Sequence, residues 1–387
     1  MKLFKKSICI FIWILTLTSG VAAQINSPTA TATAVQQIIS VPTTVIPPKE
    51  PPDWRDFRTV SAHPDGEQVV FVECGRDIPA NCRVLRMNLK KNELFYYALP
   101  PEYTYSEAYF SPSGNKIAMI RVSTQFTTLP DNLEHREIVV MNSDGSGYEV
   151  IPLALGAKTR PTFNTAEDHL AFWRAKPREA GAKSIASGYD VWEYDFKTQK
   201  EKIFSVSYRF FEGGEIHYLP NESEMLVSAF VPLEDSASFE LSTSEYISKY
   251  PTQIFKLKRD EKKWNTSMVN NPFFYSSTAA QFSIMKNNDM ILKASTLKGY
   301  MSIYKQEKNG AFFEWSARQL WNEFDIATMM YSAMSGDKLI GIFNDKNQQQ
   351  KSTSKRFLML DMIRNEWSAL IIPVIKTATP IGVSLKW

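Results

Sequence analysis

Histidine and cysteine are scarce here, with four and three in a chain of 387 residues. His63, His135, His169 and His217 fall at different places in the pattern, and no spacing brings them together, so no histidine metal centre is expected. A phosphate-cradling P-loop, a G-x-G-x-x-G and a G-x-S-x-G are all missing. Their absence argues against the common nucleotide folds and the hydrolase nucleophile elbow. Charge of one sign is lacking as well. Lys and Arg number 44 against 41 Asp and Glu, and the surplus of three equals Lys2, Lys5 and Lys6. Without that N-terminal trio the balance is zero, so the basic excess of a nucleic-acid or anionic-membrane binder is missing. No cofactor, metal site or catalytic residue is assigned.

What is present begins with a three-part N-terminus. Met1 to Lys6 is basic, Ser7 to Leu17 is apolar, and Val21-Ala22-Ala23 offers small residues for signal peptidase. The apolar run is well short of the ~20 residues of a spanning helix. Residues 1–23 therefore read as a signal peptide, with cleavage before Gln24. Export to the periplasm or outside follows, without stable membrane insertion after cleavage. Residues 24–52, rich in Thr, Ala, Pro and Val, read as an extended linker. Folded sequence is expected over 53–387, where 44 % apolar content for the whole chain allows a normal core.

Export changes the reading of the cysteines. Past Cys9 there are only Cys74 and Cys82, eight positions apart across a Gly/Pro/Asn loop. In an oxidising compartment they are expected to form a disulfide worth about 2–3 kcal/mol. No C-x-x-C or adjacent His supports a metal or redox pair.

One pattern recurs six times: an apolar residue, a polar turn, then an apolar run. It covers 61–71, 109–119, 162–172, 217–227, 281–292 and 331–342. Taking Ala62, Phe110, Phe163, Tyr218, Phe282 and Ser332 as equivalent gives steps of 48, 53, 55, 64 and 50. A second hairpin follows each, over 83–99, 137–151, 190–205, 253–268, 300–317 and 356–372. Asp144-Gly145 supplies the positive backbone angles of one such turn. Two hairpins per repeat, rich in Val, Ile and aromatics, make an all-β chain. The fold expected is a six-bladed β-propeller of four-stranded antiparallel blades. Only 318–324 and parts of 236–250 look weakly helical. Residues 380–387 read as one more strand, leaving open which end completes the ring.

His63-Pro-Asp-Gly66, Ser111-Pro-Ser-Gly114 and Met141-Asn-Ser-Asp-Gly-Ser-Gly147 resemble the WD40-like PD40 repeats of the TolB propeller family. The resemblance covers about residues 54–372 and is weakest in the fifth repeat. It implies a six-bladed propeller of the bacterial envelope that acts through protein contacts. That family carries a folded α/β domain ahead of its propeller. Only a Thr/Pro stretch precedes the repeats in this chain, so the resemblance carries fold and compartment further than a role.

Binding residues concentrate on loops held by a rigid scaffold. The connections between the two hairpins of each blade vary most in length. The third is basic (Arg174, Lys176, Arg178, Lys183) and the fourth acidic (Glu234, Asp235, Glu240, Glu245). The inter-blade links at that end are aromatic, including Tyr103, Tyr105, Phe210, Phe211 and Trp321, and such residues either anchor a partner or wedge between blades. The candidate rim comprises Tyr105, the Arg121-Val122 step, Arg174, Arg178, Phe211, Asp235 and Trp321. The expected function is an exported scaffold that binds an envelope or secreted protein, or a peptide. The alternative is a carbohydrate- or peptide-processing enzyme with an acidic site at the channel mouth. Three or more convergent Asp, Glu, Arg or His side chains at the channel would favour the enzyme.

Overall fold

The computed structural model describes residues 55–75, 82–127, 133–175, 188–204, 210, 213–230, 252–259, 267–268, 281–285, 288–295, 301–306, 311–315, 324–345, 355–373 and 378–384. All belong to one compact unit, Lys49–Trp387. The expected signal peptide and linker lie outside the described residues. So do the two weakly helical stretches, except Phe324, which opens a strand.

Every repeat forms its own four-stranded antiparallel sheet. The first blade is β1 (Arg55–Ala62), β2 (Gln68–Gly75), β3 (Arg83–Asn88) and β4 (Glu93–Tyr97). The second is β5 (Tyr103–Phe110), β6 (Lys116–Ser123), β7 (Glu137–Asn142) and β8 (Glu149–Val150). The third is β9 (Lys158–Phe163), β10 (His169–Ala175), β11 (Tyr189–Asp195) and β12 (Lys200–Ile203). The fourth is β13 (Gly213–Tyr218), β14 (Glu224–Phe230), β15 (Thr252–Lys258) and β16 (Ser267–Met268). The fifth is β17 (Gln281–Ile284), β18 (Met290–Ser295), β19 (Met301–Gln306) and β20 (Phe312–Trp315). The sixth is β21 (Phe324–Met334), β22 (Lys338–Asp345), β23 (Lys355–Asp361) and β24 (Glu366–Leu370). The four antiparallel strands of each blade are consecutive in the chain, so no blade needs a strand from the opposite terminus to reach four. The chain is a six-bladed β-propeller.

Ring closure, left open by the sequence, comes from side-chain packing. Alternate residues of β2 face opposite neighbours: Val70 and Val72 meet Ile117 and Met119 of blade two, while Val69 and Phe71 meet Ile340, Ile342 and Phe357 of blade six. Each adjoining pair of blades encloses one such cluster, and six clusters make the ring. Each fully buried aliphatic or Phe side chain contributes roughly 1.5–3 kcal/mol, which no single blade could collect alone. The strand β25 (Thr379–Ile381) does not complete a blade. It adds as a fifth strand, parallel to β4, on the outer edge of blade one.

The phasing of the repeats is corrected in two places. Hydrogen bonds across the first turn of each blade run His63 to Gln68, Ser111 to Lys116, Asn164 to His169 and Leu219 to Glu224. In blade five the bond is Met285 to Asp289, one residue shorter. Counting back from these turns makes Ile284 the equivalent of Ala62, instead of Phe282. In blade six Met334 pairs with Lys338 across a similarly short turn, making Ala333 the equivalent, instead of Ser332.

The disulfide expected between Cys74 and Cys82 is formed. Both cysteines are buried, and Cys82 is tied to blade two through its N–H to Thr104 Oγ1 (3.0 Å) and its carbonyl, which accepts from Tyr105 N (3.4 Å).

Candidate functional site at the propeller axis

The innermost strands β1, β5, β9, β13, β17 and β21 line the axis, and alternation along a strand returns every second side chain to the same face. With the corrected phasing, two rings of six residues emerge. The ring nearer the short turns is Ser61, Tyr109, Thr162, His217, Ser283 and Ser332. Two residues earlier in each strand lie Thr59, Glu107, Arg160, Glu215, Gln281 and Met330.

The turn-side ring joins blade to blade. Ser61 Oγ accepts from Phe110 N (3.1 Å), Ser283 Oγ from Ala333 N (3.2 Å) and Ser332 Oγ from Ala62 N (3.0 Å). The inner strands are bulged beside the second ring, between Arg58 and Val60 in β1 and between Tyr105 and Glu107 in β5. Thr59 (φ 48°) and Arg160 (φ 55°) adopt left-handed backbone there. For a β-branched threonine this conformation is a true outlier, costing on the order of 1–3 kcal/mol. Bulges of this kind re-aim side chains.

Three charged side chains converge in the second ring. Arg160 Nη1 lies 3.1 Å from Glu215 Oε1 and donates to the Tyr109 hydroxyl at 2.7 Å. Glu107 Oε2 accepts from the Arg160 backbone N–H at 2.7 Å, and its other oxygen lies 3.9 Å from Arg136. Burial raises the pKa of Glu215, with Arg160 opposing and Glu107 reinforcing the shift. Farther out, Lys293 donates to Met329 O at 2.8 Å, and burial brings its pKa down to about 8. His217 is held down to about 4 by burial. A cavity of about 80 Å³ opens between the rings, with walls drawn from all six inner strands.

The candidate rim residues divide by position. Tyr105 (2 % exposed) bonds Tyr148 hydroxyl to hydroxyl at 3.0 Å. Arg121 is buried, stacked 3.7 Å over the Tyr103 ring and bonded to Glu137 and Tyr148 at 2.8 Å each. Val122 follows it in β6. Arg174 repeats this arrangement in blade three, lying 3.4 Å over Trp192 and 2.6 Å from Glu201. These three support the loop end of the ring from within its walls. Arg178, Phe211, Asp235 and Trp321 lie outside the described residues. Tyr103, Tyr105, Phe210 and Phe324 of the aromatic links pack in the clusters between blades.

No family model and no curated protein matches the sequence. Solved structures do. The tricorn protease superposes with a TM-score of 0.53 at 10 % identity, over 83 % of this chain and 27 % of its own. Hydrazine synthase of Kuenenia stuttgartiensis gives 0.50 at 10 %, over 84 % and 46 %. TolB from Acinetobacter baumannii gives 0.48 at 12 %, over 76 % and 66 %. The likeness is one of fold. The chain spans about a quarter to two thirds of the length of these proteins, and the ring is the architecture that the PD40 resemblance implies.

Proposed function

We propose that this chain is an exported β-propeller scaffold that holds a protein or peptide partner on its variable inter-hairpin loops. The observation that supports this reading is the unequal construction of the two faces. On one face the short turns are bonded to one another. Glu167 Oε1 accepts from Ser113 N (2.8 Å), and the Glu222 carboxylate takes Asn164 Nδ2 (2.9 Å) and Ala166 N (3.2 Å) from the preceding blade. Those bonds tie the first turns of blades two, three and four together. The other face carries the strand ends from which the inter-hairpin connections leave, as where Thr124 N bonds Glu102 O (2.9 Å) beside the inter-blade link. A rigid ring carrying variable loops on one side suits recognition. The buried disulfide fits an oxidising compartment. The test is affinity capture from native envelope extract with residues 24–387 as bait, beside a bait with 123–135 and 231–251 shortened. A partner held by the first and lost by the second supports the reading, and retention by both overturns it.

The second reading, a carbohydrate- or peptide-processing enzyme, is favoured by the convergence of Glu107, Arg160 and Glu215 at the axis. Each carboxylate there already faces an arginine, and about 80 Å³ is small for a glycan or peptide chain. Turnover of glycan or peptide substrates that is lost in Glu215→Gln and Glu107→Gln would establish it.

A further inference from the structure

Blade one has its four antiparallel strands without β25, and the Ser332–Ala62 bond joins the last blade to the first without it. Residues 379–384 nevertheless lie in a built groove. One wall is the outer edge of β4, which pairs in parallel with Thr379, Pro380 and Ile381, and beyond it Ala98 N donates to Ile381 O at 2.9 Å. The other wall is the turn between β7 and β8, where Tyr148 N donates to Ser384 O (2.8 Å) and Ser384 N to Gly145 O (3.1 Å). Ile381 and Val383 turn to the same side and pack on the cluster that holds Tyr97 and Tyr148.

The walls are fixed by bonds in which the segment takes no part. Ser143 O accepts from the Tyr97 hydroxyl (2.8 Å) and from Arg86 Nη1 (2.9 Å), which holds the turn against blade one. Asp144 Oδ1 accepts from Ser146 N (2.9 Å) and Ser146 Oγ (2.7 Å), and Ser143 N donates to Asn115 O (2.7 Å). Gly145 (φ 91°) leaves room for a further backbone, since a Cβ there would lie 2.2 Å from Gly382 O. Within the segment Ile381 O faces β4, so its neighbour Pro380 turns its nitrogen away from the ladder, where no bond is lost. Ile381 and Val383 are half-buried, while Thr379, Pro380, Gly382 and Ser384 are exposed. Main-chain bonds and two aliphatic side chains hold the segment.

We infer that the outer groove between blades one and two is a strand-addition site for an extended protein segment with aliphatic side chains at alternate positions. Residues 379–384 fill it in cis, and a like segment of a partner protein replaces them. In strand addition the main-chain bonds give affinity with little demand on sequence, and the pockets under alternate side chains select. The bare edge of β4 is the kind of edge that invites such pairing. The groove runs beside the β7–β8 turn and not on the inter-hairpin loops, so its fate does not decide the loop-face reading.

The test titrates a fluorescent, end-capped peptide of sequence 378–384 into the full chain and into the full-length Ile381→Asp/Val383→Asp variant, read by anisotropy. The variant should release its own segment, keep the native circular dichroism and bind the peptide saturably at one site. The unmodified chain should bind at least tenfold more weakly, because its tethered segment competes at an effective concentration on the order of mM. A peptide carrying aspartate in place of both aliphatics should not bind. In the unmodified chain the amides of Ala98 and Tyr148, which the segment covers, should exchange about tenfold faster than the ladder amides of β3 and β7. No saturable binding by the variant overturns the inference, and so does equal binding by the two chains or of the two peptides. Exchange at Ala98 and Tyr148 no faster than in β3 and β7 overturns it too, as does a variant that loses the native fold, since the segment would then be a fixed part of the ring.

Discussion

Ser332 in the last blade accepts a hydrogen bond from the backbone N–H of Ala62 in the first, at 3.0 Å. This is the same bond that Ser61 and Ser283 make to their following blades. The ring therefore closes with the joint used elsewhere around it, and the C-terminal β25 adds only to the outer edge of blade one. Ser332→Ala should cost about 1 kcal/mol and raise amide exchange first along β1 and β21. Ser61→Ala, with a similar cost, should shift the early opening to β1 and β5. Native-state hydrogen exchange distinguishes the two.

Reduction of the Cys74–Cys82 disulfide removes a constraint beside the blade-one to blade-two interface. Thermal unfolding with and without reductant, and of the Cys74→Ser/Cys82→Ser double variant, should show a loss of about 2–3 kcal/mol. The double variant should no longer respond to reductant.

His217 sits in the turn-side ring with its pKa held down to about 4 by burial, against 6.5 for the free side chain. A group with a depressed folded pKa is protonated first in the unfolded chain. Between pH 6.5 and 4 the unfolded state therefore binds more protons, and acidification through that window destabilises the fold. Urea unfolding at stepped pH should show stability falling over this range, and His217→Gln should flatten that part of the curve. The carboxylates depressed by hydrogen bonds, such as Asp168 and Asp195, act at lower pH and stay in both proteins.

Gly213 opens the inner strand of blade four against Trp173 of blade three. A Cβ added there would lie 2.1 Å from the indole, whose Nε1 donates to Gly214 O at 2.9 Å. Gly213→Ala should displace a side chain buried in the cluster between blades three and four. The expected cost is about 1–3 kcal/mol, with a change in tryptophan fluorescence on folding. Chemical denaturation followed at that fluorescence checks both.

Much of the fold was legible because hairpins announce themselves locally. The second-hairpin ranges, such as 137–151 and 356–372, coincide with β7–β8 and β23–β24 to within two residues. Turn residues and alternation act over ten positions, and six copies of one signal reinforce each other. The axial site was not legible in the same way. Glu107, Arg160 and Glu215 are more than 50 residues apart from one to the next, and only the closed ring brings them together. A signal was present nonetheless. Each lies three residues before the equivalent positions Phe110, Phe163 and Tyr218, so the repeat alignment already sets them side by side; what it does not show is that this position faces the axis. The phasing is off by two residues in blade five and by one in blade six, the two blades whose first turns are one residue shorter than the PD40-like turns of blades one and two. Tyr105, Arg121 and Arg174 drew notice as aromatic and basic residues near variable loops, yet burial depends on neighbouring blades that sequence spacing does not show.

The most direct measurement for the account as a whole is hydrogen exchange on the intact protein with and without a captured partner. Protection is expected at the loop end of the ring, in 123–127, 133–136 and 173–175, while the turns at 63–67, 111–115 and 164–168 stay unchanged. Protection of those short turns, with the loop end unaffected, would contradict a scaffold that works through its inter-hairpin loops.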